Sequence, residues 1–211
     1  MTPRHGTKRR LLLAAAVASA SVGGVMLWQH ETRPAGAFEP PAEDMCIVPP
    51  TRVSQPHPYD PASGLGLLEA RPIPPDARCP VCGMYPARFP RWAAQIVFGD
   101  GATHFFDSPV DLFMFLAEPA RFDSARSGDD AAALYVTGFD NGHWVDARRA
   151  VFVLGSKVRG PMRGPDLPAF ADTTAAEAFA AANGGHTLRF AEIDPTIVGK
   201  LRDANHRHHT H

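Results

Sequence analysis

The chain has 211 residues, 45% of them hydrophobic and 20% charged, and its 21 basic side chains against 22 acidic ones leave a formal charge of −1. That balance excludes the basic surplus of a nucleic-acid binder, and the apolar content excludes a wholly disordered chain. A polytopic membrane protein is excluded as well, because only one apolar run approaches the length of a bilayer span.

That run comes first in the chain. Residues 1–10 carry Arg4, Lys8, Arg9 and Arg10 and no acid, and Leu11 to Trp28 follow as 18 residues without a charge. A basic segment ahead of an apolar run is an export signal. Two outcomes stay open: removal at the small-residue site Ala18-Ser19-Ala20, or retention as an anchor with the basic end on the cytoplasmic side. Either one puts the rest of the chain outside the cytoplasm. No cysteine closely follows the run, so a lipidated cysteine is not expected. Residues 31–75 then hold 11 prolines in 45 positions. Proline removes backbone donors and fixes φ, so this stretch reads as an extended tether. Cys46 lies within it with no neighbours that point to chemistry. The domain reading is a signal or anchor over 1–30, a tether over 31–75, a folded domain over 76–200 and a histidine-rich tail over 201–211.

Within 76–200, Trp92 to Phe98 reads as a strand, Gly99-Asp100-Gly101 as a hairpin turn and Ala102 to Phe106 as the returning strand. Asp107-Ser108-Pro109 starts a helix, with a capping side chain and proline in the first turn. The helix runs from Val110 to Glu118 with Val110, Phe113, Met114 and Ala117 on one face, and Pro119 stops it. Leu134 to Thr137 is a further strand, and Gly142 to Asp146 a short strand or ordered loop. The pattern then recurs. Ala150 to Ser156 is a strand. Leu167 to Ala171 is an edge strand, because Pro168 lacks a donor. Asp172 caps a helix ending at Asn183-Gly184-Gly185, and Thr187 to Ile193 is the last strand. A helix over Thr196 to Asp203 precedes the tail. Each half reads strand, strand, capped helix, strand, so the expected fold class is α+β: two ββαβ units in one domain, the helix faces covering sheet.

Cys79-Pro80-Val81-Cys82-Gly83-Met84 is the sharpest chemical signal. Its two thiols are close enough to share an ion or to pair, and Gly83 lets the backbone turn so that Met84 can swing toward the same point. Thiolate and thioether are soft donors, a combination that selects Cu(I) over hard cations. Three alternatives stand beside that reading. A zinc site needs four Cys or His ligands and would have to recruit His104 or His143. A redox dithiol fits an oxidising compartment, but Pro86 and Pro90 do not suit the helix that would lower the thiol pKa. A structural disulfide would leave Met84 without a role.

Weaker donors are Met162, in the glycine-bounded loop Gly160 to Gly164, and Met114, which reads as core. His104 reads as a satisfied strand histidine. The terminal histidines, four of the ten, are either a metal-scavenging tract or a plain tail. Asp107 and Asp172 read as helix caps. There is no phosphate loop, no nucleophile elbow and no pair of carboxylates at catalytic spacing, so the chain does not read as an enzyme.

The order of these elements resembles the NosL-type nitrous oxide reductase accessory proteins. The resemblance rests on Cys79-Pro-Val-Cys-Gly-Met84, Trp92-Ala-Ala-Gln95, Asp100-Gly101, Phe106-Asp-Ser-Pro-Val-Asp-Leu-Phe113, Tyr135-Val-Thr137, Trp144-Val-Asp-Ala147, Val153-Leu-Gly-Ser156, Gly160-Pro-Met162 and Gly184-Gly185 followed by Phe190-Ala-Glu-Ile193. It covers about residues 76–194. It implies a periplasmic copper chaperone that holds Cu(I) and delivers it to apo nitrous oxide reductase. On this chain it carries metal binding to Cys82 and Met84, with Cys79 beside them, and matches Met162 to a family methionine. Many such proteins are lipoproteins, whereas this chain shows an anchor-like or cleavable segment.

Overall fold

The computed structural model describes residues 54–207. The apolar run, Cys46 and the end of the histidine tail lie outside them. Among the described residues no helix is long and apolar enough to cross a membrane.

The first half is a four-stranded antiparallel sheet of order β2-β1-β3-β4. Its strands are β1 (Ala94–Phe98), β2 (Thr103–Phe106), β3 (Ala131–Thr137) and β4 (Trp144–Asp146). All of β1 is buried, as a central strand covered on both faces must be. That explains why it shows no apolar–polar alternation, its one polar residue, Gln95, being buried against Arg71. The β1–β2 register pairs Ala94 with Phe106 and Val97 with Thr103. The turn between them is closed by Gly101 N–H donating to the Phe98 carbonyl at 2.8 Å.

The second half repeats the plan. Strands β5 (Val151–Leu154), β6 (Ala169–Phe170) and β7 (His186–Arg189) form an antiparallel sheet of order β6-β5-β7. In both halves the first strand lies between its hairpin partner and the strand after the helix, so the expected pair of ββαβ units is what forms. β6 is an edge strand of only two residues, consistent with Pro168 before it. The last strand is shorter than the sequence reading, because Phe190–Glu192 turn into a 3-10 helix. The halves meet where Phe139 N–H donates to the Ala169 carbonyl at 2.7 Å.

Helix α1 (Pro109–Ala117) follows β2, with the four-residue turn α2 (Pro119–Phe122) directly after it, so Pro119 both ends one helix and begins the next. Helices α3 (Thr173–Asn183) and α4 (Pro195–Arg207) complete the set. The Asp172 side chain caps α3 by accepting from Ala175 N–H at 2.9 Å. The expected one-sided face of α1 is corrected: Val110, Asp111, Leu112, Phe113 and Phe115 are all buried, Met114 is half-buried and Ala117 is exposed. A helix packed between sheet and the α4 helix has little free face. The main core joins Ile96, Phe98 and Phe106 of one half to Phe152 and Leu167 of the other, and Phe113 meets Phe152 edge-on at 5.4 Å. A second core lies under α3, around Val151, Val153 and Phe170.

Residues 54–75 are not the continuous extended tether expected: a 3-10 helix at Pro61–Ser63, capped by Asp60, and a turn at 67–69 interrupt them, and they lie against the first sheet. His57 pairs with Thr103 on the free edge of β2, both backbone bonds measuring 2.8 Å. Arg71 is buried. Its N–H donates to Gln95 Oε1 at 3.0 Å, and its guanidinium donates to the Leu67 carbonyl at 2.6 Å and to Gly101 and Thr103.

Candidate metal centre

The Cys79–Met84 loop is a tight turn locked by its own backbone. Gly83 N–H donates to the Cys79 carbonyl and Cys79 N–H to the Met84 carbonyl, each at 2.9 Å. Gly83 has φ +75°, a left-handed conformation that strains any side-chain-bearing residue. The turn aims both sulfurs at the start of α1. Cys79 is 1% exposed and Cys82 half-buried, and both are free thiols.

The partners of these thiols are carboxylates. Cys82 Sγ donates to Asp107 Oδ1 at 2.9 Å, and Cys79 Sγ to Asp111 Oδ2 at 3.3 Å. Asp107 is therefore not the helix cap expected from sequence. Ser108 takes that place, its hydroxyl accepting from Asp111 N–H at 3.3 Å, and Asp107 is released to face the thiols. One turn of α1 then sets Asp111 beside it. Among the described residues, one donor atom from each of Cys79, Cys82, Asp107 and Asp111 lies within 4.8 Å of the others. Asp107 and Asp111, acids at positions i and i+4, are thus brought together as metal donors, a role the sequence reading of Asp107 as a cap does not give it.

A third acid arrives from the second half. Asp166 is 3% exposed. Its Oδ1 accepts from Leu167 N–H at 2.8 Å and from Val110 N–H at 3.4 Å. It closes the loop that carries Met162, so the contact tying this loop to the site runs through Asp166. Gly160 makes room for it: a Cβ there would lie 2.2 Å from Asp166 Oδ2. Met162 itself is half-buried in the turn of that loop, and Met84 is half-buried at the end of the cysteine turn.

Burial dominates the electrostatics. It pushes the Cys79 thiol up to about 12, with the Asp111 and Asp107 charges adding to the rise. Contact with the Cys79 sulfur, and then burial, holds the Cys82 thiol well above its ordinary range. Burial, with the Asp107 charge after it, raises Asp111 well above the usual carboxylate range, and burial lifts Asp166 to about 7. Thiols held protonated are poor nucleophiles, which works against the disulfide-exchange reading. His104 is spoken for. Its Nε2 lies 2.9 Å from Asp123 Oδ2, it is 1% exposed, and its rings of contact are Phe98 and Phe115. His143 is exposed in the loop before β4. Neither histidine joins the cluster, so a zinc ion there would have to take Asp107 and Asp111 beside the two thiols.

The cluster fits a metal ion by an independent sign. Asp107 is fully buried and its Oδ2 has no hydrogen-bond partner, a state that costs free energy unless something else neutralises it. The donors offer soft sulfur and buried oxygen together.

A pair of free thiols with carboxylate neighbours, set on a doubled ββαβ frame, defines a candidate metal-binding domain. The NosL family model matches residues 70–198, and the chain belongs to the NosL family. It is 32% identical over 136 residues to the copper-binding lipoprotein NosL of Stutzerimonas stutzeri, covering 61% of this chain and 67% of that one. To the copper-binding lipoprotein NosL of Achromobacter cycloclastes it is 38% identical over 58 residues, covering 28% of this chain and 30% of the other. The crystal structure of the copper chaperone NosL from Shewanella denitrificans superposes with a TM-score of 0.52 at 27% identity, covering 61% of this chain and 98% of that one.

Proposed function

We propose that this chain is a non-enzymatic copper chaperone of the periplasm that carries Cu(I) on Cys79, Cys82 and Met84, with Met162 as a further donor, and delivers it to apo nitrous oxide reductase. The observation that carries the reading is the pair of free thiols beside the unpartnered Asp107 oxygen, in a chain whose relatives are named for copper. Sulfur donors favour the monovalent ion. A site on a surface turn also leaves a position for an incoming ligand, so copper can pass through a shared-ligand intermediate without being released. The basic and apolar N-terminal segment supports export, and with it an oxidising compartment in which the thiols need a metal or a reductant to stay free.

The test is anaerobic loading of the reduced protein. Wild type is expected to carry one Cu(I) through gel filtration and to pass it to apo nitrous oxide reductase. Cys82→Ser and Met84→Ile are expected to lower the Cu(I) affinity at least about tenfold in competition with a chelator, corresponding to about 1.4 kcal/mol, with circular dichroism unchanged. Wild-type affinity in both variants would reject the site.

A further inference from the structure

The surface around the cysteine turn carries a charge that copper binding does not explain. From Ala77 to Gly99 the sequence contains Arg78, Arg88 and Arg91 and no acidic residue. All three arginines are exposed. Elsewhere Arg121, Arg126 and Arg202 meet carboxylates at 2.8–3.2 Å. These three do not meet one among the described residues. Arg78 donates to the Gly83 carbonyl at 3.0 Å and lies 3.8 Å over the Tyr85 ring, and Arg88 lies 4.8 Å from the same ring. Arg91 donates to the Phe139 carbonyl at 3.0 and 2.7 Å and lies 4.2 Å over the Phe139 ring. Ring faces and carbonyls hold the guanidiniums in place but leave their positive charge uncompensated. The acids of the metal centre lie buried beneath, so Arg78 and Arg88 set positive charge beside the cysteine turn, with the exposed Asp76 the acid next to them in the chain.

A groove of about 280 Å³ adjoins this rim, lined by Ile73, Ala87, Pro90, Thr137, Gly142 and Trp144. Arg88 and Arg91 follow Ala87 and Pro90 directly, so one lip of the groove carries positive charge, while the exposed Asp140 and Asp146 flank the opposite, Gly142–Trp144 side. Pre-positioned arginines, a tyrosine and a half-buried tryptophan are the residue types that dominate protein–protein contacts.

We propose that this arginine rim, with the Trp144 groove, is the docking surface for an acidic face of the protein with which copper is exchanged. The inference rests on the chaperone reading given above and adds the chemistry of the partner's surface. A protein fits better than a lipid bilayer. The cations are fixed and planar, the groove accepts side chains, and only a protein brings a competing copper ligand to the mouth of the site. Opposed charge would steer the encounter and orient the partner's ligand over Cys82.

The test uses the full chain and Arg88→Glu/Arg91→Glu, which leaves Arg78 and every metal donor in place. Titration with poly-L-glutamate is expected to shift the amide resonances of residues 85–92 in wild type and not in the double variant. Copper transfer to apo nitrous oxide reductase is expected to slow by about tenfold in the variant and in wild type at high salt, with Cu(I) affinity unchanged. Three results would overturn the proposal: no poly-L-glutamate shift at these residues in wild type, a shift there with phosphatidylglycerol vesicles but not with poly-L-glutamate, or transfer at the wild-type rate by the variant. If wild type passes no copper to the reductase, the delivery reading fails, while the poly-L-glutamate arm still decides the rim.

Discussion

Cys79 and Cys82 differ from the proposed methionine donors in one respect that an experiment can read: a thiol must lose a proton to bind copper and a thioether has none to lose. With the Cys79 thiol pushed up to about 12 and that of Cys82 raised in the same direction, both are protonated at neutral pH. Metal uptake must then release protons, and affinity must rise with pH. The expected slope is up to about one log unit of Cu(I) affinity per pH unit for each thiol that ionises, measured by chelator competition between pH 6 and 8. A flat profile would assign the binding to thioether sulfur alone. Asp166 gives the opposite dependence for stability. Burial lifts it to about 7 from an ordinary 3.8, so the unfolded chain ionises first as pH rises. Its contribution to stability is complete below the unfolded value and is lost as pH climbs through the folded one. Wild type is therefore expected to lose thermal stability from pH 5 to pH 7.5, and Asp166→Asn to lose less. Equal losses in both proteins would show that this carboxyl does not carry the effect.

At the scale of elements, the loop holding Met162 is shaped by a close approach rather than by a conformational need. Gly160 sits where a Cβ would lie 2.2 Å from Asp166 Oδ2 and 2.7 Å from its Cβ, and Asp166 is in turn fastened to the first turn of α1. Gly160→Ala must push the acid out or open the loop. Overpacking of this kind costs about 1–3 kcal/mol, readable as a lower urea midpoint, and the displaced loop should also weaken copper binding. The same elements show what was readable in advance. Hairpin, capped helix and strand were legible in each half, because Gly99-Asp100-Gly101, Pro109 and Asp172 act through local backbone rules. The carboxylates of the site were not. Asp107 and Ser108 are both competent caps, and only the packed structure decides that Ser108 does the capping and Asp107 turns to the thiols. Asp166 was invisible for a related reason, since the partner that draws it to the site, Val110, lies 56 residues away across the join of the two halves. The segment over 54–75 was half legible. Its prolines ruled out a long helix or central strand, but nothing local announced the short 3-10 turn at Pro61–Ser63 or the burial of Arg71 against Gln95.

Both halves of the described domain contribute to the candidate site, and the packing that joins them is apolar. Phe113 packs edge-on against Phe152 within a core that also holds Phe106, and Cys79 and Cys82 donate to Asp111 and Asp107. A zinc-structured module is built differently, since its binding energy is its folding energy. Here the domain is expected to keep its far-ultraviolet circular dichroism and a cooperative melt when stripped of metal under reducing conditions. Added Cu(I) should raise the melting temperature by linkage alone, the stabilisation following RT ln(1 + [L]/Kd), about 2.7 kcal/mol at a free ion concentration 100 times Kd. That arrangement suits a carrier. Unloading removes only this increment and leaves a folded protein with its binding turn intact, ready to take the next ion. Loss of the circular dichroism signal on chelation would show the opposite coupling, and would make each delivery of copper an unfolding event.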